Sequence, residues 1–160
     1  MNKEQLGRLI LASEDTLYHV AKSLLYNDAD CADAIQESIV KAFSKIDTLR
    51  ADAYAKTWLI RILINECYAV MRKEKVMVSI ETVPEETWAA EHKDYSDLYE
   101  ALSRLPEDMR LTVTLHYLEG YSVKEIASLL GTTESAVKNR LFRARGKLRQ
   151  DLEGMEAAGL

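Results

Sequence analysis

Cysteine, proline and glycine are scarce in this chain of 160 residues, which contains two, two and six of them respectively. The cysteines, Cys31 and Cys67, form no CxxC or Cys/His pattern. Their isolation favours free thiols in a reducing cytoplasm over a metal site. Residues 1–75 contain a single glycine, Gly7, and no proline, so little interrupts regular secondary structure in the first half of the chain.

Long apolar runs are also absent. No stretch approaches the ~20 consecutive apolar residues that cross a bilayer, and charge interrupts the apolar run in residues 1–16, unlike in a signal peptide. The apolar residues recur mostly at helical spacing, with little of the alternation that is typical of strands. We therefore expect an all-α, cytoplasmic protein.

Charge is divided unevenly along the chain, although the net charge is only −5. Residues 1–49 hold five basic and eight acidic side chains, and residues 50–75 hold six and three. Residues 76–121 hold three and ten, and residues 122–160 hold seven and five. Two basic zones on either side of an acidic zone predict two contacts with nucleic acid, separated by a segment that nucleic acid would repel.

The helical spacing predicts two small domains. Helices are expected near residues 3–12, 14–26, 30–46, 52–75, 95–104, 107–119, 123–130 and 134–152. The first domain would cover residues 1–75 with four helices, and the second would cover residues 95–152. The acidic segment 76–94 is predicted to be a flexible linker, and the tail 153–160 is expected to fray.

The third helix has two contrasting faces. Its expected core face consists of Ile35, Ile39, Ala42, Phe43 and Ile46. Asp30, Asp33 and Glu37 recur at helical spacing on the opposite side, with Gln36 beside them. A solvated face is the simple explanation. As a binding surface it would suit a basic protein partner, since like charge would keep DNA away.

One side of the fourth helix mixes aromatic, basic and amide side chains: Tyr54, Trp58, Arg61, Asn65, Tyr68 and Arg72. The opposite, apolar side is expected to face the core through Leu59, Ile62, Leu63, Cys67 and Val70. Aromatic rings stack on exposed bases, cations neutralise phosphates, and an amide can hydrogen-bond to a base edge. Trp58 can instead be a core residue, because large aromatic side chains are usually mostly buried.

The second domain contains a helix–turn–helix pattern. Ser122 and Glu125 form a capping box, Gly131 suits the positive φ that ends a helix, and Thr132 or Thr133 can cap the helix that follows. The expected core residues of the helices before the turn are Leu111, Leu115, Leu118, Val123, Ile126, Ala127 and Leu130.

The last helix has an apolar stripe and a basic outer face. The apolar stripe consists of Val137, Leu141, Ala144 and Leu148. With about 100° of rotation per residue, these side chains lie within about 60° of one another around the helix axis. Six basic residues and no acidic one lie from Lys138 to Arg149, which on a helix–turn–helix frame predicts DNA contact. Phe142 lies off the core stripe among these cations. It can tuck against a neighbouring helix or touch a thymine methyl group or sugar in the major groove.

Together these segments resemble the bacterial RNA polymerase sigma factors of the extracytoplasmic-function type, the smallest branch of the sigma-70 family, over roughly residues 10–150. The stretch 105–148 is similar to the domain that reads the upstream, minus-thirty-five promoter element. Four residues of this stretch match family positions that contact bases or the backbone: Lys138, Asn139, Phe142 and Arg143.

The first half of the chain carries two further parts of the resemblance. The stretch 27–43 looks like the segment that docks on the polymerase clamp, whose motif is matched by Asp33, Gln36 and Glu37. The stretch 57–73 looks like the helix that melts and reads the downstream, minus-ten element. Asn65 matches a position that lines the pocket for a flipped-out base. Two positions depart from the family pattern, Ala32 and Ala69.

The resemblance implies the partners and the role. It implies that the chain binds the clamp and flap regions of core RNA polymerase and directs promoter-specific transcription initiation. It also implies an anti-sigma factor, often bound to the membrane in relatives, that holds the protein inactive. We expect no catalytic residue, cofactor, metal or small-molecule substrate.

The predicted site therefore has three parts. Core polymerase binding is assigned to Asp30, Asp33, Gln36 and Glu37. Reading of the downstream element is assigned to Tyr54, Trp58, Arg61, Asn65, Tyr68, Arg72 and Lys73. Reading of the upstream element is assigned to Thr133, Ser135, Lys138, Asn139, Arg140, Phe142, Arg143, Arg145 and Lys147, of which Arg140, Arg145 and Lys147 are expected to contact phosphates.

Two other functions are compatible with parts of the chain. A stand-alone helix–turn–helix regulator that binds duplex operators explains residues 105–149 equally well, but it leaves the face around Trp58 and Asn65 unexplained. A sigma mimic that sequesters an anti-sigma factor would not need the basic helix.

Overall fold

A computed structural model of the chain describes residues 1–77 and 96–157, and it confirms the all-α class, since neither range contains a strand. The helices are α1 (Lys3–Ala12), α2 (Glu14–Leu24), α3 (Asp28–Ser44), α4 (Ala55–Met77), α5 (Ser96–Ser103), α6 (Glu107–Val113), α7 (Val123–Leu130) and α8 (Glu134–Ala157). Short 3₁₀ turns, Ile46–Thr48 and Asp52–Tyr54, precede α4. The chain divides into two compact units, Met1–Trp88 and Ala89–Leu160.

The first unit is built around α2, α3 and α4, which pack against one another. The α2 segment buries the apolar stripe expected from its spacing: Leu17, Val20, Ala21, Leu24 and Leu25. The buried residues of α4 are Ala55, Leu59, Ile60, Leu63, Ile64 and Cys67. This face is wider than the predicted stripe because α4 packs on both α2 and α3. The expected core residues Ile62 and Val70 are only half-buried.

The core face predicted for α3 is right at Ala42, which is buried, and wrong at the larger residues. The predicted residues Ile35, Ile39 and Phe43 are only half-buried, and the buried positions are the small residues Cys31, Ala34, Ser38 and Ala42. Small side chains leave room for neighbouring helices to pack against this stripe. The Ser38 hydroxyl does not go unsatisfied there, because it donates to the Ala34 carbonyl at 2.6 Å. The buried stripe of α3 is therefore formed by small residues and not by the predicted isoleucines and Phe43.

The second unit packs α6 and α7 against α8. The single helix predicted over 107–119 is interrupted, because α6 passes into a π-helical turn at Thr114–Leu118. In this turn the Glu119 amide donates to the Thr114 carbonyl at 3.1 Å. A π turn holds more residues than an α turn and rotates the side chains that follow it. Leu118, an expected core residue, is consequently 37% exposed.

The helix ends differ from the predicted limits. α4 continues to Met77, so only the first two positions of the predicted linker 76–94 are described, and the rest lies outside the described residues. α8 continues to Ala157 instead of ending near 152. Across the two described ranges, no helix combines the length and the apolar character that a membrane span requires.

Candidate nucleic-acid and protein interfaces

The start of α8 is set by the turn that precedes it. α7 begins with the predicted capping box, in which the Glu125 amide donates to the Ser122 hydroxyl and the Ser122 amide donates to the Glu125 carboxylate, both at 3.1 Å. α7 ends at Gly131, whose φ of 66° is the left-handed conformation that favours glycine. The Thr133 hydroxyl then accepts a hydrogen bond from the Ala136 amide at 3.0 Å and caps α8.

The outer face of α8 projects into solvent while its apolar stripe is buried. Val137, Leu141 and Ala144 lie in the core. The exposed residues of the predicted face are Thr133, Ser135, Lys138, Asn139, Phe142, Arg143, Arg145 and Lys147. Phe142 is 70% exposed, so it does not tuck against a neighbouring helix. A large aromatic ring left in solvent among cations is available for contact with a ligand.

Two arginines of α8 have partners within the second unit. The Arg140 Nε lies 3.6 Å from the Asp108 Oδ2 of α6, and the Arg140 side chain is partly buried. The Arg145 Nη1 donates to the Tyr117 hydroxyl at 2.9 Å, and both side chains are exposed. Arg140 therefore fastens α8 to α6. Arg145 retains further N–H donors beyond this one bond.

The predicted face of α4 is partly set into the first unit. Its polar members are exposed: Arg61, Asn65, Arg72 and Lys73. Tyr54, just before the helix, is 68% exposed. Trp58 and Tyr68 are half-buried, so the Trp58 ring belongs in part to the core and in part to the surface. Rings held in this way are suited to stacking against a planar ligand.

The acidic side of α3 is open to solvent. Asp33, Gln36 and Glu37 are exposed, and Asp30 is partly buried. Val40, three residues after Glu37 on the same side of the helix, is 62% exposed. The sequence predictions assigned Val40 neither to the core nor to a binding surface.

A polar network holds the first turn of α3. The Asn27 side chain accepts hydrogen bonds from the amides that open the helix. Asp28 accepts a hydrogen bond from the Tyr18 hydroxyl at 3.2 Å and lies 3.4 Å from the Lys22 ammonium. Lys22 also donates to the Tyr26 carbonyl at 2.7 Å. These contacts tie α3 to α2 and fix the direction in which its acidic side points.

An ion pair joins α3 to α4. The Lys41 ammonium donates to the Glu66 carboxylate, whose side chain is only 13% exposed. This hydrogen bond, with further attraction to Glu66 and Glu37, raises the pKa of Lys41. The sequence predictions missed both residues, because they are 25 positions apart and no helical spacing connects them. The one local signal was the pairing of Glu37 and Lys41 at i, i+4.

The two cysteines are free thiols in the core of the first unit. Burial raises the pKa of Cys31 to about 12, and burial likewise raises the pKa of Cys67 to about 12. Both thiols are therefore protonated at neutral pH. Among the residues that the structure describes, no group of three or more His, Cys, Asp or Glu side chains is placed to hold a metal ion.

Two family models match the chain, one in each unit. The model described as sigma-70 region 2 matches residues 9–76, which contain α3 and α4. The model described as sigma-70, region 4 matches residues 95–148, which contain the helix–turn–helix.

Two similar proteins match most of the chain. The RNA polymerase sigma factor SigV of Bacillus subtilis is 31% identical over 163 residues, covering 95% of this chain and 96% of that protein. The ECF RNA polymerase sigma factor SigM of Mycobacterium tuberculosis is 32% identical over 135 residues, covering 82% of this chain and 69% of that protein.

Two solved structures are similar to the chain. The sigma factor RpoE of Bartonella quintana, solved in complex with the anti-sigma factor NepR, superposes with a TM-score of 0.79 at 29% identity, covering 94% of this chain and 98% of that one. CnrH, solved with the cytosolic domain of CnrY, shares the fold with a TM-score of 0.71 at 24% identity, covering 96% and 90%.

Proposed function

Since the chain belongs to the extracytoplasmic-function branch of the sigma-70 family, it directs promoter-specific transcription initiation by RNA polymerase. We propose that α3, α4 and α8 each perform a separate step of this initiation. α3 binds core polymerase, α8 reads the upstream promoter element as duplex, and α4 captures a base of the downstream element. The observation that carries the proposal is the face of α4, where exposed Asn65 and Arg61 lie on one side with the half-buried ring of Trp58. A protein that only read duplex DNA would not need this face.

α3 binds the polymerase through its acidic side. Asp33, Gln36 and Glu37 are exposed together, so a basic partner surface is complementary and DNA is repelled. Val40 adds an apolar contact on the same side. The network at Asp28 presents these side chains on a fixed element, which lowers the entropic cost of binding.

α8 lies in the major groove of the upstream element. Lys138, Asn139, Phe142 and Arg143 reach the base edges. Arg145 and Lys147 contact phosphates and fix the register on the duplex. Arg140 has a competing partner in Asp108, so its contribution to phosphate binding is the smallest of the three.

α4 favours the melted promoter because it binds the single strand better than the duplex. The Asn65 amide hydrogen-bonds to a flipped-out base, Trp58 and Tyr68 stack with bases, and Arg61 and Arg72 neutralise phosphates. Unpairing a base costs a few kcal/mol, and capture on this face offsets that cost. The polymerase performs the covalent chemistry.

An anti-sigma factor controls the protein in this proposal. The support is the similarity to RpoE of Bartonella quintana, which was solved with such a partner. The free protein is cytoplasmic, and a membrane-bound form of the partner holds it at the inner face of the membrane. Cell fractionation tests the second part: recovery in the soluble fraction alone under non-inducing conditions would contradict tethering.

Run-off transcription tests the function directly. Core polymerase with this protein should start transcription at a defined site on a cognate promoter, and core polymerase alone should not. Tight binding of the free protein to palindromic duplexes without initiation would favour a stand-alone regulator. Anti-sigma binding without transcription would favour a sigma mimic.

Asp33→Lys tests the assignment of α3. Reversing a charge within the acidic side should weaken binding to core polymerase on the order of tenfold or more, while binding of α8 to duplex DNA is unchanged. Asp47→Lys is the matched control, because Asp47 is an exposed acid of the same unit that lies outside α3. Core affinity that is the same for both variants would refute the docking assignment.

A further inference from the structure

The ion pair between Lys41 and Glu66 connects two helices whose outer faces have different proposed partners. Lys41 lies one turn after Glu37 on α3, and Glu66 directly follows Asn65 on α4. The pair therefore joins the turn of α3 that meets the polymerase to the turn of α4 that meets the captured base. Neither residue is among those proposed to contact the polymerase or the DNA.

The burial of Glu66 distinguishes this pair from an ordinary surface ion pair. Exposed pairs contribute little, since water competes for both charges. Here the carboxylate is largely withdrawn from water while the ammonium is more open. Removing the ammonium would leave a partly buried charge without its partner, which is costly. The contact between α3 and α4 at this turn therefore depends on both residues.

The direction of Asn65 follows from the position of Glu66. Successive residues of an α-helix are separated by about 100° around the axis. A carboxylate held against α3 at position 66 thus helps to set the rotation of this turn of α4 and, with it, the direction in which the exposed Asn65 amide projects.

Building on the proposed function, we infer that Lys41 and Glu66 are positioning residues whose ion pair fixes the Asn65 turn of α4 against α3. Polymerase docking and base capture then take place on one rigid element. The pair touches neither the polymerase nor the DNA, and it acts through the placement of Asn65.

The test uses holoenzyme assembled from core polymerase and the full chain, with a single-stranded oligonucleotide that carries the downstream element. Lys41→Met and Glu66→Gln should each lower affinity for the oligonucleotide about three- to tenfold, with affinity for core polymerase unchanged. The charge exchange Lys41→Glu with Glu66→Lys should recover most of the loss. Lys45→Met, which removes an exposed lysine at the end of α3, should change nothing.

Three results would overturn the inference: single variants that bind the oligonucleotide like the wild type, a charge exchange that recovers nothing, or a loss of core affinity in Lys41→Met. Circular dichroism checks folding, and if Lys41→Met unfolds, Glu66→Gln and the charge exchange decide the outcome. Failure of the proposed function looks different, because the wild-type holoenzyme would then ignore the oligonucleotide sequence and Asn65→Ala would have no effect.

Discussion

The two units present their outer faces in different ways. In the second unit, Phe142 and Arg143 of α8 project into solvent, and the opposite stripe of the helix meets the core. In the first unit, Trp58 and Tyr68 of α4 are half-buried, and Glu66, next to Asn65, is tied to α3. The outer face of α8 therefore projects away from the core of its unit, whereas the corresponding face of α4 is partly buried in the core of the first unit.

This difference matches two kinds of recognition. Base edges in a duplex lie within a groove, so side chains have to project from a helix to reach them. A base that leaves the stack is bound by rings and hydrogen-bonding groups whose positions are fixed beforehand. We therefore expect damage to the core of the first unit to impair melting while it spares upstream reading.

Leu59→Ala should produce the largest difference in stability between the two units. Leu59 is fully buried on α4, and its truncation should cost about 2–5 kcal/mol of the stability of the first unit. Hydrogen exchange should show weaker protection in α2, α3 and α4, with α7 and α8 unchanged. Leu115→Ala, at a fully buried position of the second unit, should give the reverse pattern. Loss of protection in both units from either variant would mean that they unfold as one.

High pH should destabilise the first unit through its thiols. Burial raises the pKa of Cys31 and Cys67 from 9.0 to about 12. Their contribution is therefore fully present below the unfolded value and is lost as the pH rises from 9.0 towards about 12, because only the unfolded thiols then ionise. Between about pH 8 and about pH 10 the loss should total about 1.4 kcal/mol for each thiol.

Urea unfolding of the first unit between about pH 8 and pH 10 measures this loss. The double variant Cys31→Ala with Cys67→Ala is the control, since it keeps every other titrating group. Its stability should fall less steeply than that of the wild type. The same slope in both proteins would show that the thiols are not the cause.

Arg143→Ala should cost about 1–3 kcal/mol at one base pair of the upstream element. The reason is that its guanidinium is proposed to read a base edge. Lys147→Ala should instead weaken binding equally on all sequences and lower the salt dependence, because it removes a phosphate contact. Fluorescence anisotropy on duplexes substituted at each position distinguishes the two. A uniform loss in Arg143→Ala would reassign that residue to the backbone.

Ser122→Ala should have the smallest effect on stability. It removes the hydroxyl that caps α7 and should lower the free energy of unfolding of the second unit by about 1 kcal/mol. It should also lower affinity for the upstream element, since α7 leads into the turn that starts α8. Asn2→Ala removes the equivalent capping box of α1 and should leave upstream affinity unchanged. Thermal unfolding and duplex binding measure both. Unaltered duplex binding in Ser122→Ala would show that α8 is placed without this cap.

The second unit was the easier one to predict because its signals are local. The capping box of Ser122 and Glu125, the positive φ of Gly131 and the stripe from Val137 all depend on residues within a few positions of each other. The π turn after α6 was missed, since helical spacing assumes one period throughout. That turn moved Leu118 to the surface.

The first unit depended more on contacts between distant segments. The spacing placed Asn65 and Arg61 on one face of α4. On α3 it predicted Ala42 as a core residue but otherwise chose large side chains, and it missed the small buried residues Cys31, Ala34 and Ser38. Which stripe is buried depends on the helices that pack against it, and these come from elsewhere in the chain. The pairing of Lys41 with Glu66 could be found only in the folded structure, because the two residues belong to different helices.

Capture of an unstacked base by α4, while α8 reads duplex DNA, is tested most directly by 2-aminopurine fluorescence. Holoenzyme is mixed with promoter duplexes that carry 2-aminopurine at successive positions of the downstream element. We predict a rise in fluorescence at one position, which is lost in Asn65→Ala and retained in Arg143→Ala at saturating protein. A rise that survives in Asn65→Ala would contradict this capture.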